Sequence, residues 1–340
     1  MKKLRSLLAV TLLLCNAVVN AQTQKDIIEA IEKEGNGNSQ LEQLAYELMD
    51  LNGPRLVGTP EMKTAHDWAI NTYKKWGITA ENQQWGTWKG WQRGITHVDM
   101  VSPRVVSLHA TQLAWNPSTD KKGVTASLIT LPSFADSLAF VKWLPNVKGK
   151  IVMVSMLQPT GRPDENWKEY ATEVSFEKMK SERDSLEKIW RQNISNTGYT
   201  SRNINAAFEK AGAVGIAQSR WSEGFGANKI FSAGTEKIPA VDISLEDYGM
   251  LYRMAEHGAN PQIKIVAESK DLGKVPTFNT IATIPGTEFP DEYVILSAHF
   301  DSWDGATGAT DNGTGTITML ETARILKKVY PNPKRTILIG

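Results

Sequence analysis

The chain has 340 residues, 41% of them hydrophobic and 22% charged, with 38 Lys plus Arg against 37 Asp plus Glu and a single cysteine. That near balance of charge offers no basic face for nucleic acid or an anionic membrane, and one cysteine excludes a disulfide framework within the chain. Beyond the first 21 residues no apolar run is long enough to span a bilayer.

Residues 1–21 read as a leader for export. Lys2, Lys3 and Arg5 supply its positive end, 7–19 is apolar, and Val19-Asn20-Ala21 precedes a cut that makes Gln22 the first mature residue. Leu14 stands before Cys15 where a lipidation site has a small residue. The cut removes that cysteine, so any metal chemistry falls to histidine and carboxylates. The implied location is periplasmic or extracellular. About 320 residues remain, more than one core usually holds, and two domains are expected.

Ser39 can cap a helix to about residue 51, with Leu41, Leu44, Leu48 and Leu51 on its inner side. Thr59, Pro60, Glu61 and Gly77 mark a second helix by N-cap, N1 proline, acidic first turn and terminal glycine. His66 inside it, and His97, His109 and His257 beyond it, read as structural, because none has a partner at ligand spacing. Trp85, Trp88 and Trp91 read as aromatic packing under a strand or loop rather than a sugar platform. Over 124–269 short strands alternate with single helices. Strands are expected at 124–131, 150–156, 214–218 and 262–268, with helices at 204–211 and from the Ser244 cap to 257. Within this stretch 163–202 is charged and helix-favouring, and reads as a surface helical hairpin, with a lid or dimer contact as the alternative. A strand at 278–284 and a turn at Pro285-Gly286 follow.

The chemistry concentrates at 293–326. The run 293–298 is rich in Val, Ile and Leu and reads as a buried strand, leading into His299-Phe300-Asp301-Ser302-Trp303. Alternation would put His299 and Asp301 on one face, where the carboxylate can hold the imidazole tautomer and leave the other nitrogen for a metal. Asp311 follows across Gly308-Ala309-Thr310-Asp311-Asn312-Gly313-Thr314-Gly315, ahead of a helix over 316–330. Singly these are ordinary, since most histidines are neither ligands nor bases and Asp-Asn-Gly-Thr-Gly suits a turn. Together they suit zinc with mixed nitrogen and oxygen ligands better than calcium, which wants six or more oxygens.

These two runs, with Leu320-Glu321-Thr322-Ala323-Arg324 and Arg335-Thr336-Ile337, resemble the co-catalytic zinc aminopeptidase and glutamate carboxypeptidase family. Gly53-Pro54-Arg55-Leu56-Val57-Gly58-Thr59 and Trp91-Gln92-Arg93-Gly94 extend the similarity over most of the chain. The resemblance implies that His299 binds one zinc, Asp311 bridges two zinc ions, and Asp301 supports His299 from behind. It also implies a cis peptide between Asp311 and Asn312. Lys148-Gly149-Lys150-Ile151-Val152, 206–213 and 238–244 resemble the protease-associated domain often inserted into such peptidases. The implied fold is therefore α/β: a mixed-sheet zinc exopeptidase domain in two parts, 22–122 and 270–340, around an inserted α+β domain over 123–269.

The implied function is hydrolysis of peptides or dipeptides by metal-activated water, as an aminopeptidase, carboxypeptidase or dipeptidase, with a homodimer allowed for. The alternative is a non-catalytic binding protein on the same scaffold, which would have no physical need for His299, Asp301 and Asp311 together. In the family, the strand beginning at Arg335 runs into a Glu-Glu pair that supplies the general base and a ligand, and a carboxylate and a histidine follow. Gly340 precedes all of these, so the chain as given is expected to be the inactive front portion of a longer peptidase.

Overall fold

The computed structural model describes residues 24–340 except 228, 229 and 231; the leader expected over 1–21 lies outside the described residues. The N-terminal helix α1 (Gln24–Gly37) is followed by α2 (Leu41–Ala45), which continues as a π-helical stretch, Tyr46–Asn52. Leu44 and Leu48 are buried as expected, whereas Leu41, at the first position of α2, is exposed, and so is Leu51, because the wider π turn rotates the end of the stripe away from the core. Helix α3 (Pro60–Lys75) begins at Thr59, whose hydroxyl accepts from the Met62 amide at 3.2 Å.

From α3 the chain enters β1 (Thr79–Ser102), a 24-residue strand. Strands β2 (Val106–Ser107), β3 (Ala110–Gln112) and β4 (Val124–Ile129) follow, then α4 (Ser137–Trp143) and β5 (Ile151–Met153). The segment expected as a helical hairpin forms α5 (Asp164–Tyr170) and α6 (Glu173–Asn196), and α7 (Ile204–Lys210) leads to β6 (Gly215–Gln218) and β7 (Ala240–Ile243). Helix α8 (Leu245–Glu256), capped by Ser244, precedes β8 (Gln262–Ile284). The chain closes with β9 (Phe289–Leu296), α9 (Thr314–Val329) and β10 (Arg335–Ile339).

The strands form one mixed sheet of ten, in an α/β fold. Its spine is the antiparallel pair β1 and β8, matched from Thr79 with Thr283 to Ser102 with Gln262. At one end β8 pairs with β10, which runs parallel to β9. At the other, β8 pairs with β4, and β4, β5, β6 and β7 run parallel in sequence before β3 closes the edge. Two strands read separately from sequence, at 262–268 and 278–284, are thus one strand, and the expected junction at 269/270 falls inside it. Among the described residues no helix is long and apolar enough to cross a membrane.

Separate cores lie along this spine. One joins Leu44, Leu48, Ala69 and Tyr73 to Ile317, Leu320, Ile337 and Ile339, so α2, α3 and α9 pack on the β10 end of the sheet. The others gather Met100, Ile151, Val241, Ile263 and Ile265, and Phe140, Ile204 and Phe208, around the parallel strands. Trp91 is buried between them, while Trp85 and Trp88 are exposed rather than packed as expected. The expectation of a buried strand at 293–298 also fails: Tyr293, Val294 and Ile295 are exposed, because among the described residues β9 pairs only with β10 and forms an edge.

Candidate metal centre

The loop that leaves β9 carries His299 and Asp301, and the turn that enters α9 carries Asp311. Backbone bonds fix the departure point: Gly340 N donates to Leu296 O at 2.9 Å and Ala298 N to Gly340 O at 3.0 Å. The first turn of α9 adds a tie through Thr316 Oγ1, 3.3 Å from the carbonyl oxygen of His299. His299 Nε2 lies 3.0 Å from Asp311 Oδ1. On the other side of the ring, Nδ1 lies 3.1 Å from Asp301 O and 3.3 Å from Asp301 Oδ1. The three side chains are all open to solvent, at 54%, 66% and 52% for His299, Asp311 and Asp301.

Strand alternation is not what brings His299 and Asp301 together, because β9 ends at Leu296 and the contact is made within the loop. The Asp311–Asn312 peptide bond is cis, matching the expectation from the resemblance. Two glycines permit the turn around it. Gly308 has φ +61, and a Cβ there would collide with Ser302 and Arg55; a Cβ on Gly313 would lie 2.7 Å from Gly308 O and 2.6 Å from Met49 Cε.

The donor set passes a simple test of fit to a cation. With the Nδ1 proton directed to Asp301, the Nε2 lone pair would face the Asp311 carboxylate, and a cation between them would bind both. Two tetrahedral zinc ligands at about 2.0–2.1 Å stand roughly 3.3 Å apart, close to the 3.0 Å observed. Among the described residues no group of three or more His, Cys, Asp or Glu converges as a metal site.

Two arginines that were noticed in sequence only as parts of motifs hold the intervening loop. Arg55 is fully buried. Its Nε donates to Phe300 O at 2.9 Å, Nη1 to Gly53 O at 3.0 Å and Thr307 O at 2.9 Å, and Nη2 to Gly308 O at 2.9 Å. Its backbone completes a reciprocal pair with Ser302: Arg55 N donates to Ser302 Oγ at 2.9 Å and Ser302 N to Arg55 O at 3.1 Å. Burial pulls this guanidinium below its ordinary value, against the opposing pull of the Asp301 carboxylate. Arg93 forms a short ion pair with Asp304 and donates to Gln112 O at 2.6 Å, with its guanidinium carbon 5.0 Å from the Trp91 ring. The loop between His299 and Asp311 is thus anchored from β1 and from the turn before α3.

His66 is near the centre but belongs to the packing. It is buried, its Nδ1 is 2.7 Å from Thr280 Oγ1, and its ring lies 5.0 Å from Phe300. Burial pushes it down to about 4, so it is neutral at physiological pH. A cavity of about 230 Å³ lies between this ring, Phe278, Met319 and the His299–Asp301 turn.

Comparison with known proteins locates the loop, the turn and α9 together. Residues 279–340 match Peptidase family M28. Over 303 residues the protein is 28% identical to carboxypeptidase Q of Homo sapiens, a match covering 88% of this chain and 57% of that one. With carboxypeptidase Q of Xenopus laevis the identity is 26% over 322 residues, covering 92% and 60%. The chain therefore spans a little over half the length of these relatives. A peptidase M28 precursor from Shewanella amazonensis shares the fold, with a TM-score of 0.61 and 23% identity over 93% of this chain and 66% of that one. A zinc aminopeptidase from Bacillus subtilis does so with a TM-score of 0.52 and 20% identity, covering 88% and 59%. The matched stretch contains His299, Asp301 and Asp311, whereas Arg55 and Arg93, which hold its loop, lie far outside it in sequence.

Proposed function

We propose that this chain supplies part of the metal centre of an exported dinuclear zinc exopeptidase acting on peptides or dipeptides. The observation that carries this reading is the 3.0 Å approach of His299 Nε2 to Asp311 Oδ1, with Asp301 on the far side of the ring. In this reading His299 and Asp311 would hold zinc, with the Asp311 carboxylate shared between two ions, and Asp301 would fix the imidazole tautomer by accepting from Nδ1. Zinc bound there supplies Lewis acidity toward a peptide carbonyl and toward water. The chain's own contribution is to hold the two ligands on an exposed loop, where an extended peptide can reach them, and to keep that loop in place through Arg55 and Arg93. The basic and apolar leader over 1–21 supports export. The stretch 123–269 reads as the protease-associated insert.

Zinc titration of the chain beside His299→Ala, Asp311→Asn and Asp301→Asn tests the reading. Loss of either ligand should abolish or severely weaken binding, and Asp301→Asn should cost about 10–100-fold. Unchanged affinity in His299→Ala or Asp311→Asn would overturn the assignment. Dipeptide hydrolysis is assayed in parallel with and without a chelator. Chelator-sensitive turnover by this chain alone would mean that residues regarded here as structural complete the site.

A further inference from the structure

The parallel part of the sheet carries a second cleft, remote in sequence from the metal ligands. Ligands of open parallel sheets settle outside the carboxyl ends of the strands. At the ends of β5 and β6, bounded by α6 and the start of α7, lies an open cleft of about 800 Å³, a size that suits a small molecule. Arg183 of α6 lines it. Its side chain is 13% exposed, its Nη1 donates to Asp164 Oδ1 at 2.7 Å, and its guanidinium carbon lies 4.6 Å from the centre of the Trp221 ring.

That arrangement uses one end of the guanidinium and one face. Nε–H and Nη2–H, which form its side-on edge, are buried and have no acceptor among the described residues. Two parallel N–H groups on one edge match the two oxygens of a carboxylate, and donors buried without an acceptor are costly. The same cleft is lined by two acceptors in the converse state, Gln158 Oε1 and Asn205 Oδ1, both buried and without a donor. Asn205 is only 5% exposed, and its amide nitrogen is committed to Ala233 O at 3.0 Å. An occupant serving all three residues carries a carboxylate and N–H groups together. Inorganic phosphate answers the arginine edge alone. Glu187 at the rim is paired with Arg191 at 2.5 Å and so does not compete for Arg183.

We propose that this cleft binds an amino acid or short peptide, with its carboxylate held side-on by Arg183 and its N–H groups accepted by Asn205 and Gln158. The proposal goes beyond the zinc reading and does not depend on it.

Calorimetric titration of the whole chain, zinc-loaded and zinc-free, with alanyl-alanine, alanyl-alaninamide and inorganic phosphate tests it. Alanyl-alanine should bind equally in both metal states, with the amide and phosphate weaker by on the order of tenfold. Arg183→Lys keeps the charge opposite Asp164 but loses the fork, and should weaken the dipeptide by a similar factor at an unchanged melting temperature. Gln158→Leu, a milder change, should cost several-fold. Binding that requires zinc, that ignores the missing carboxylate, or that persists in both variants would overturn the proposal. So would the absence of saturable binding, which would mean that solvent alone serves the buried edge. None of these failures alters the zinc titration of His299→Ala.

Discussion

Arg55→Met replaces a guanidinium that solvent does not reach with an apolar chain of similar length; the carbonyls of Gly53, Phe300 and Thr307 lose their donor, and Gly308 O keeps only the Gly313 amide, at 2.8 Å. An enclosed acceptor without a donor costs about 1–3 kcal/mol. The Gly53 carbonyl bears that cost in full, and the three at the loop are partly open to water and bear less. The variant also escapes the desolvation cost of a buried cation. The net loss is about 3–4 kcal/mol. Three of the four acceptors lie between His299 and Asp311, so the segment that loosens is the one that sets their spacing. At about 1.4 kcal/mol per factor of ten, the loss is enough to lower zinc affinity by about 100-fold. Urea unfolding and zinc competition with a chromogenic chelator measure the two consequences. Arg55→Lys keeps the charge but cannot span four carbonyls, and should fall between parent and Met. An Arg55→Met chain within about 0.5 kcal/mol of the parent, with unchanged zinc affinity, would refute the reasoning.

Asp242 is buried between Gln218 Nε2 at 3.3 Å and Arg220 N at 3.0 Å, and burial pushes its carboxyl up to about 6. The fold prefers the protonated acid, so stability from this group is full below about pH 4 and lost as pH rises through 6, by about 3 kcal/mol in all. Asp242→Asn should shrink the gap between unfolding free energies at acid and neutral pH by about that amount; an unchanged gap counts against the account. Glu34 has the opposite sign: hydrogen bonds from Lys328 and then Arg324 hold its carboxyl down to about 2. Its contribution is present above about pH 4.5 and lost as pH falls toward 2, so Glu34→Gln should flatten the acid dependence of amide exchange in α1 and α9.

What could be read in advance was what is written locally. The Thr59 cap, the Pro60 start and the Gly77 stop lie within one segment and act within it. That His299 and Asp311 come together was legible because only twelve positions separate them, though the approach of Asp301 does not follow from strand alternation, since the strand ends at Leu296. Arg55 was opaque. Between Pro54 and Leu56 nothing signals a buried guanidinium, since three of its acceptors lie 245 to 253 residues away. β1 was missed for a related reason. Its Gln, Gly and Trp residues show no clean alternation, and the partner that makes it a strand lies beyond the insert. Exposure at 293–298 was misjudged because β-branched residues signal a strand without saying whether its outer edge is covered.

The continuous pair β1 and β8 gives the molecule the mechanics of a leaf spring rather than a hinge. More than 20 residues at about 3.3 Å each make a ribbon on the order of 70 Å long, anchored at one end beside β10 and at the other beside β4. Its peptide hydrogen bonds resist stretching and in-plane shear, leaving twist and out-of-plane bending as the soft modes. The ladder slips register at Gln84/Gly86, Gly90/Trp91, Arg93/Thr96 and Met100/Ser102, and bulges are where such a ribbon flexes. The third of these begins at Arg93, the residue that grips Asp304. A load placed on the parallel strands would therefore be delivered as torque to the loop that spaces His299 from Asp311.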